Sequence, residues 1–502
     1  MAVICAFILN AGLNFVLGLL IAKLLGPAEF GLFALATAGA VVANTVLFEW
    51  LRLSATRFYS ARVRAQEPWI RQGLDRAYAV MGVALFVAAL VCAALGVGSG
   101  PGSRAAILAG TAIAALGIGI FDYHAALARA RFDGGLYFRL VAVKNGLAFG
   151  LMAGTAWLLP QPAWVLAAAG LSQFLAAALL WRPMRDPVTP RLRVRLAETW
   201  RLFVAYGLPL IAANAVYQLM PFLNRGTIAA QAGLAEAGYF ALAADVTTRS
   251  IGTLGTALDL LLFQFAVRAE EEEGRAAAEA QIGRNVGTVV ALLLPCAVGF
   301  WAILPALQAL AVPDAYRGPF AAYAGLMIPG FFFLAMTNFA LNPVFQIRRK
   351  TLPVVAAAVI GLAVDALGLW LLPPVMGPEG IAVAQTLGLA VATLILAVRT
   401  LTGPQRLRLP WRDIVMAGLA CAIMALCLAP VRHLEPVPAL ASSLALGVLV
   451  YGAFTWTFDI AGLRSLIAAR WAERRGPERP APAPAAPAID VAEPDAIPND
   501  SH

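Results

Sequence analysis

The sequence predicts an all-α integral membrane protein with about fourteen transmembrane helices, arranged as two like-oriented six-helix lobes plus two C-terminal helices. This prediction depends on the composition, on the number of long apolar segments, and on how basic residues are distributed between the loops. Of the 502 residues, 61% are hydrophobic and only 13% are charged, and the mean hydropathy is +0.78. Soluble proteins carry about a quarter charged residues. The chain cannot cover a water-facing surface, which excludes an ordinary soluble enzyme.

Long apolar segments follow one another along the whole chain. A helix of about 20 apolar residues crosses the hydrocarbon core of a bilayer. The first segment is predicted to be a membrane helix and not a cleaved signal peptide, because it lacks a basic start, is too long, and is interrupted by Asn10 and Asn14. The predicted helices occupy residues 2–23, 31–51, 77–97, 105–127, 137–159, 163–181, 203–226, 237–263, 286–309, 320–342, 353–373, 379–398, 412–430 and 438–459.

The basic residues alternate between the two sides of the predicted membrane. Most of the 37 Lys and Arg residues fall in loops after even-numbered helices or in the C-terminal segment. Cytoplasmic loops of membrane proteins carry the excess of Lys and Arg, so both termini are predicted to be cytoplasmic. The net charge of +9 therefore reports topology and gives no support to nucleic-acid binding. The residues outside the pattern are Lys23, Arg104, Lys144, Arg225, Arg249, Arg317 and Arg432.

Two parts of the chain repeat each other. Residues 22–38 (AKLLGPAEFGLFALATA) and 229–245 (AAQAGLAEAGYFALAAD) both carry Gly-x-x-Glu-x-Gly in the same register, and WLLP occurs at 157–160 and 370–373. Predicted helices 1–6 thus repeat as helices 7–12, and two like-oriented lobes with a site between them are typical of transporters. The predicted divisions are 1–201 (N-terminal lobe), 202–410 (C-terminal lobe), 411–460 (two additional helices) and 461–502 (a cytoplasmic tail, disordered from about residue 476).

Cysteine and histidine give no sign of a metal or cofactor site. The five cysteines lie in apolar runs without Cys-x-x-Cys spacing, and the histidines are His124, His433 and His502. A zinc site takes about four nitrogen or sulfur ligands. The sequence therefore predicts neither a metal nor a cofactor.

Seven motifs carry a resemblance to a known family. They are LGPAEFGLFALA at 25–36, WLRLSATRFYS at 50–60, YGLPL at 206–210, FLNRG at 222–226, AGYFALA at 237–243, PDAYRG at 313–318 and GPEGIAVAQTLG at 377–388. Together they resemble the polysaccharide-biosynthesis flippases (the Wzx-type oligosaccharide flippase family) of the multidrug/oligosaccharidyl-lipid/polysaccharide exporter superfamily. The resemblance covers roughly residues 1–460.

The resemblance implies a transporter, not an enzyme. Such a protein moves a lipid-linked (polyprenyl-diphosphate) oligosaccharide across the bacterial inner membrane for surface or exopolysaccharide synthesis, by alternating access through a cationic cavity between the lobes. Besides the oligosaccharide and membrane lipids, it implies a polysaccharide polymerase and chain-length proteins as partners. Two alternatives remain open. A drug/cation antiporter of the same superfamily would usually have twelve helices and an acidic cavity, and a membrane polysaccharide polymerase or ligase would need a large external loop that is not present.

Basic residues within the membrane are the first site candidates, because a charge at a helix centre costs about 2.5–3.5 kcal/mol unless it faces a cavity or a partner. Arg249 follows Asp245 by four residues, which predicts either a self-neutralised pair or a head-group anchor. Arg225 matches the family's helix-7 arginine and either lines the cavity or lies at the outer interface. Lys144 either reaches the inner interface or lines the cavity. The predicted substrate-binding residues are Arg249, Arg225, Lys144, Lys23, Arg52, Asn214 and Gln218.

Acidic residues are the candidates for coupling transport to an ion or proton gradient. Asp365 lies in predicted helix 11 between Gly361 and Gly368, whose small size lets another helix approach; it either bonds to that helix or titrates. Asp122 and His124 near the end of predicted helix 4 form either a proton-linked pair or interface residues. The predicted coupling residues are Asp245, Asp365 and Asp122.

Overall fold

The computed structural model describes residues 2–59, 68–95, 100, 102–186, 196–348, 350–402 and 406–465, and within them it contains helices and turns but no strand. The predicted disordered tail from residue 476 lies outside these ranges. The helices are α1 (Ala2–Asn44), α2 (Trp50–Phe58), α3 (Pro68–Leu95), α4 (Arg104–Ala130), α5 (Gly134–Leu158), α6 (Pro162–Leu179), α7 (Leu196–Gln231), α8 (Leu234–Glu273), α9 (Arg275–Ala311), α10 (Pro319–Met336), α11 (Asn342–Ile347), α12 (Leu352–Leu371), α13 (Pro373–Met376), α14 (Glu379–Thr402), α15 (Trp411–Leu428) and α16 (Pro436–Phe458).

The helices make this chain a multi-pass membrane protein. Among the described residues, eleven helices are long and apolar enough to cross a membrane, or twelve if the bent α7 is one span. This number differs from the predicted fourteen for two reasons. Residues 9–58 count as one helix although the backbone is not helical at Gly26, and the charged α8 is not among the eleven. The number fourteen therefore remains a prediction.

The two repeated segments make the same turn. At Gly26 the backbone has φ 74° and ψ 170°, and at Gly233, the matching position of the repeat, φ is 95° and ψ is 169°. Positive φ favours glycine because a Cβ would clash with the backbone. Each glycine therefore ends one long helix and begins the next at the same place in its lobe.

The two repeated segments cross at a second pair of matching glycines. A Cβ at Gly31 would lie 2.0 Å from the carbonyl oxygen of Leu234, and a Cβ at Gly238 would lie 2.1 Å from that of Pro27. Gly31 matches Gly238 in the repeat, and Pro27 matches Leu234. The contact is therefore self-complementary, as expected around a two-fold axis, and the helices touch backbone to backbone.

We expect Gly31→Ala and Gly238→Ala to be equally destabilising. In each variant a methyl group would have to displace the backbone of the other lobe, and overpacking of this kind costs about 1–3 kcal/mol. Thermal or denaturant unfolding in detergent measures the change in the free energy of unfolding. Gly325→Ala is the control, because nothing lies within 4 Å of the added carbon. Variants as stable as this control would show that the crossing is not tightly packed.

Small residues also bring the helices together within each lobe. In the first lobe, the added Cβ of Gly117 in α4 would lie 2.5 Å from the carbonyl oxygen of Gly170 in α6. In the second lobe, that of Gly361 in α12 would lie 2.7 Å from the oxygen of Gly388 in α14. Close approach at small residues is the usual packing of membrane helices, and it confirms the approach predicted beside Asp365. The last two helices, α15 and α16, pack on α9.

Candidate functional site

Three adjoining chambers lie between helices of the two repeated parts of the chain. The central chamber, about 480 Å³, lies between α1, α7, α8, α10 and α14. The side chamber, about 380 Å³, extends from it toward Asn10 and Ala11 at the start of α1. The vestibule, about 840 Å³, extends toward Arg57 and Lys350. Asn338 lines all three chambers, so they adjoin at this side chain.

Arg249 lies where the central and side chambers meet. Its side chain is exposed to the cavity, and no hydrogen bond or ion pair of its guanidinium is found within the described part of the chain. The sequence suggested a pair with Asp245 on the same helix, but Asp245 turns to another partner. Arg249 therefore presents its five donors to whatever occupies the chamber.

Asp245 forms its ion pair with Arg225 of α7. The Arg225 guanidinium lies 2.5 Å from the Asp245 carboxylate and donates to the carbonyl oxygen of Ala34 at 2.9 Å. The Arg225 residue is only 8% exposed. This arginine therefore ties α7 to α8 and to the first lobe, and it forms part of the chamber wall with its charge already balanced.

Lys144 belongs to a cluster of amides on α1 and α5. Its ammonium donates to Asn145 at 3.0 Å and to Asn10 at 3.4 Å, and Asn14 donates to Asn10 at 2.8 Å. Asn10 also lines the side chamber with Arg249. Lys144 itself lines none of the three chambers and is joined to the side chamber through its hydrogen bond to Asn10.

Arg52 and Asn214 meet at one carboxylate in the vestibule. Glu49 forms an ion pair with Arg52 and accepts a hydrogen bond from the Asn214 amide at 2.7 Å. Asn214 lies on α7, so this bridge connects the two lobes. Gln218, one turn further along α7, lines the central chamber.

Three predicted residues lie away from the cavity. Lys23 is exposed beside the Gly26 turn and lines none of the three chambers. Asp122 is half-buried among the charges of Arg52 and Arg129. No hydrogen bond joins it to His124 in the described structure, and the Nδ1 atom of His124 lies 2.8 Å from the carbonyl oxygen of Ile120 one turn earlier.

Asp365 is completely buried in the second lobe, with 0% exposure. Neither of its carboxylate oxygens makes a well-aligned hydrogen bond in the described structure, and the Asn224 side chain is close enough to offer one. The side chain lies beside Asn224 of α7, whose amide donates to Gln385 of α14 at 3.1 Å. Gln385 lines the central chamber, so this polar cluster extends from the buried carboxyl to the cavity.

An apolar groove lies on the other side of α8, and the sequence reasoning missed it. The groove, about 940 Å³, is formed by α9, α15 and α16 together with Phe15 of α1 and Ser250 of α8. Predicted helices 13 and 14 were expected only as an addition to the two lobes. The small residues along α16, including Ser443, Gly447 and Gly452, were the available signal, because they leave space beside an otherwise bulky helix.

Comparison with known proteins gives structural matches only. No protein family and no curated protein matches the sequence. The lipid II flippase MurJ in an inward closed conformation is 14% identical over 92% of this chain and 99% of that chain, with a TM-score of 0.69. An inward-facing multidrug resistance MATE family transporter of the MOP superfamily is 15% identical over 84% of this chain and 96% of that chain, with a TM-score of 0.51.

A third match is a mutant of the MATE transporter VcmN from Vibrio cholerae. It is 12% identical over 80% of this chain and 96% of that chain, with a TM-score of 0.51. These structures are transporters, and at such identities the likeness concerns the fold. The chain therefore has the fold shared by the lipid II flippase MurJ and the multidrug transporters of the MOP superfamily.

Proposed function

We propose that this protein is a flippase that moves a lipid-linked, diphosphate-bearing oligosaccharide across the bacterial inner membrane. It works by alternating access between the lobes 1–201 and 202–410, with residues 411–460 added to the second lobe and both termini in the cytoplasm. The substrate contacts Arg249 and the Lys144 cluster with its head group. A polysaccharide polymerase and chain-length proteins are its expected partners.

The observation that carries this proposal is the pair of neighbouring residues Arg249 and Ser250. Arg249 faces the central and side chambers with an unpaired guanidinium, whereas Ser250 lines the apolar groove. An anionic head and a long apolar chain match the chemistry of Arg249 and of the groove, respectively. The likeness to a lipid II flippase supports a lipid-linked substrate of this kind.

The physics of the head group supports the same assignment. An isolated ionised group costs tens of kcal/mol to bury in hydrocarbon by idealised estimates, so a diphosphate needs a wet path with fixed cations. Arginine suits phosphate because its planar guanidinium forms two parallel hydrogen bonds. A drug/cation antiporter is the weaker alternative, because Arg249 would repel a cation and Asp245 is already neutralised by Arg225.

Coupling to a gradient is the second part of the proposal, with Asp365 as the residue that takes up a proton or cation. Its unpartnered carboxylate, the Asn224 amide and Gln385 form a polar connection to the central chamber. Asp245 and Asp122 are weaker candidates, because Asp245 is engaged by Arg225 and Asp122 lies outside the three chambers.

Reconstitution into liposomes tests the proposal. We expect the purified protein to move a fluorescent prenyl-diphosphate oligosaccharide from the inner to the outer leaflet, faster than in empty liposomes, and an imposed proton or sodium gradient to increase the rate. Asp365→Asn should keep the basal rate and lose the increase. No translocation by folded protein would refute the flippase proposal, and an unchanged gradient response in Asp365→Asn would refute the coupling role alone.

A further inference from the structure

A single arginine lies at one end of the apolar groove. Arg464 follows α16 and is the one charged side chain among the described residues that line the groove. It is exposed, and only its backbone N–H takes part in a hydrogen bond within the described structure. Trp456 lines the groove eight residues earlier and is 56% exposed, and tryptophan is enriched where a membrane meets water. The groove therefore changes from apolar to cationic at this end.

The chain turns sharply to bring Arg464 to the groove. Asp459 and Ala461 have φ angles of 49° and 56°, and only one other non-glycine residue of the described chain has a positive φ. A positive φ is strained for residues other than glycine, and such strain occurs often at functional sites. Ile460 lies between these two residues and is completely buried, so the turn is anchored in the core.

The carboxylate of Asp459 holds the turn that carries Arg464. Its Oδ1 atom accepts hydrogen bonds from the backbone N–H groups of Arg464 and Ser465 at 3.0 and 3.2 Å. Its Oδ2 atom accepts one from the Ser465 hydroxyl group. The Arg464 guanidinium is near this negative charge but forms no ion pair with it in the described structure. Its five donors therefore remain available for an anion.

The end of α16 points toward the start of α9. Arg432, just before α16, lies over the ring of Trp301 of α9 at 3.7 Å. Tyr451, near the other end of α16, donates to the carbonyl oxygen of Ala291 of α9 at 2.6 Å. The two helices therefore run in opposite directions, and Arg464 lies at the side of the membrane that is predicted to be cytoplasmic.

Arg249 lies deeper along the same groove than Arg464. Asn285, near the start of α9, donates to the carbonyl oxygen of Leu262 of α8 at 2.7 Å, and α8 reaches the groove at Ser250. At a rise of about 1.5 Å per residue, Ser250 and its neighbour Arg249 lie about 18–20 Å from that level. One diphosphate therefore cannot contact both arginines at the same time.

We propose that Arg464 is a loading site, which binds the diphosphate of the substrate while the prenyl chain lies in the apolar groove. This inference rests on the proposed function and adds a step before the head group reaches Arg249. A lipid-linked diphosphate in the inner leaflet has its charge at the membrane surface and its chain in the hydrocarbon, which matches the order of Arg464 and the groove. A guanidinium also suits phosphate because it forms two parallel hydrogen bonds.

Initial flipping rates at increasing substrate content in phosphatidylcholine liposomes test the loading step. We expect Arg464→Gln to raise the half-saturating content about tenfold through the loss of a charged hydrogen bond, with a maximal rate within about twofold of wild type. Arg464→Lys should recover part of this loss because it keeps the charge. Arg284→Gln is the matched control and should equal wild type. Arg284 is exposed on α9, bonds to Gln281 and does not line the groove.

Phosphatidylglycerol in the liposomes distinguishes the substrate from an anionic phospholipid. We expect it to change the half-saturating content of wild type less than about twofold, because its phosphate carries less charge than a diphosphate. A wild-type value raised to that of Arg464→Gln would overturn the loading site in favour of a phospholipid site. An unchanged half-saturating content in Arg464→Gln, or equal losses in Arg464→Gln and Arg464→Lys, would also overturn it while leaving the flippase proposal intact. No flipping by folded wild type would overturn both.

Discussion

Arg249→Glu is expected to lower the flipping rate more than a hundredfold while leaving the folded protein intact. A hydrogen bond to a charged group contributes about 1.5–3 kcal/mol, and the reversed charge also repels the diphosphate; about 3 kcal/mol corresponds to more than a hundredfold. Stability should change little, because the Arg249 guanidinium has no partner to lose in the described structure. Initial rates in liposomes, beside unfolding temperatures in detergent, measure the two effects.

The matched control for this charge reversal is Arg268→Glu on the same helix. Arg268 has a 74% exposed side chain and pairs with Glu272 at the far end of α8, away from the chambers. The Arg268→Glu variant should keep a flipping rate within about twofold of wild type, because exposed ion pairs contribute only about 0–1 kcal/mol. Equal rates in Arg249→Glu and wild type would remove Arg249 from the substrate site.

Breaking the pair of Arg225 and Asp245 is expected to have the largest effect on stability. The loss of stability should differ between the two single variants. Asp245→Leu removes the counter-ion of Arg225, whose side chain is only 9% exposed. An uncompensated buried charge costs about 3–5 kcal/mol. Arg225→Leu leaves the Asp245 carboxylate unpaired, but that side chain is 39% exposed. The decrease in the free energy of unfolding should therefore be smaller for this variant. The double variant should be more stable than Asp245→Leu, since no unpaired charge remains.

Unfolding of the three variants in detergent forms a double-mutant cycle. Additive losses, or a greater loss in Arg225→Leu than in Asp245→Leu, would show that the pair is not the structural anchor seen between α7, α8 and Ala34. The same cycle explains any transport defect of Arg225 variants. Such a defect would arise from a loosened contact between the lobes and would accompany a lower unfolding temperature.

Much of the fold could be predicted because it depends on local patterns. The length of the apolar segments predicted most of the helices. The repeat places Gly26 and Gly233 at matching positions, and in the structure both have a positive φ, which glycine tolerates. The partners within the site depend on contacts between helices that spacing along one helix does not reveal. Four-residue spacing suggested Asp245 with Arg249, but a closer arginine on α7 takes the carboxylate. Arg249 is left free for this reason.

The apolar groove was not predicted for a similar reason. Its walls come from α9, α15 and α16, which contact one another only after folding, and apolar residues facing lipid look the same in sequence as apolar residues facing a groove. Asn214 and Gln218 could be named from the sequence because both lie on predicted helix 7, but the bridge from Asn214 to Glu49 depends on a contact between helices that the sequence does not reveal.

The glycine crossing at Gly31 and Gly238 has a mechanical consequence. The two backbones leave no room there for even one added carbon, and the side chains of Arg225 and Asn214 bridge the same two halves of the chain at Ala34 and Glu49. A tilt about the crossing would keep the backbone contact and would have to break these two hydrogen bonds, so the bridges limit such a motion.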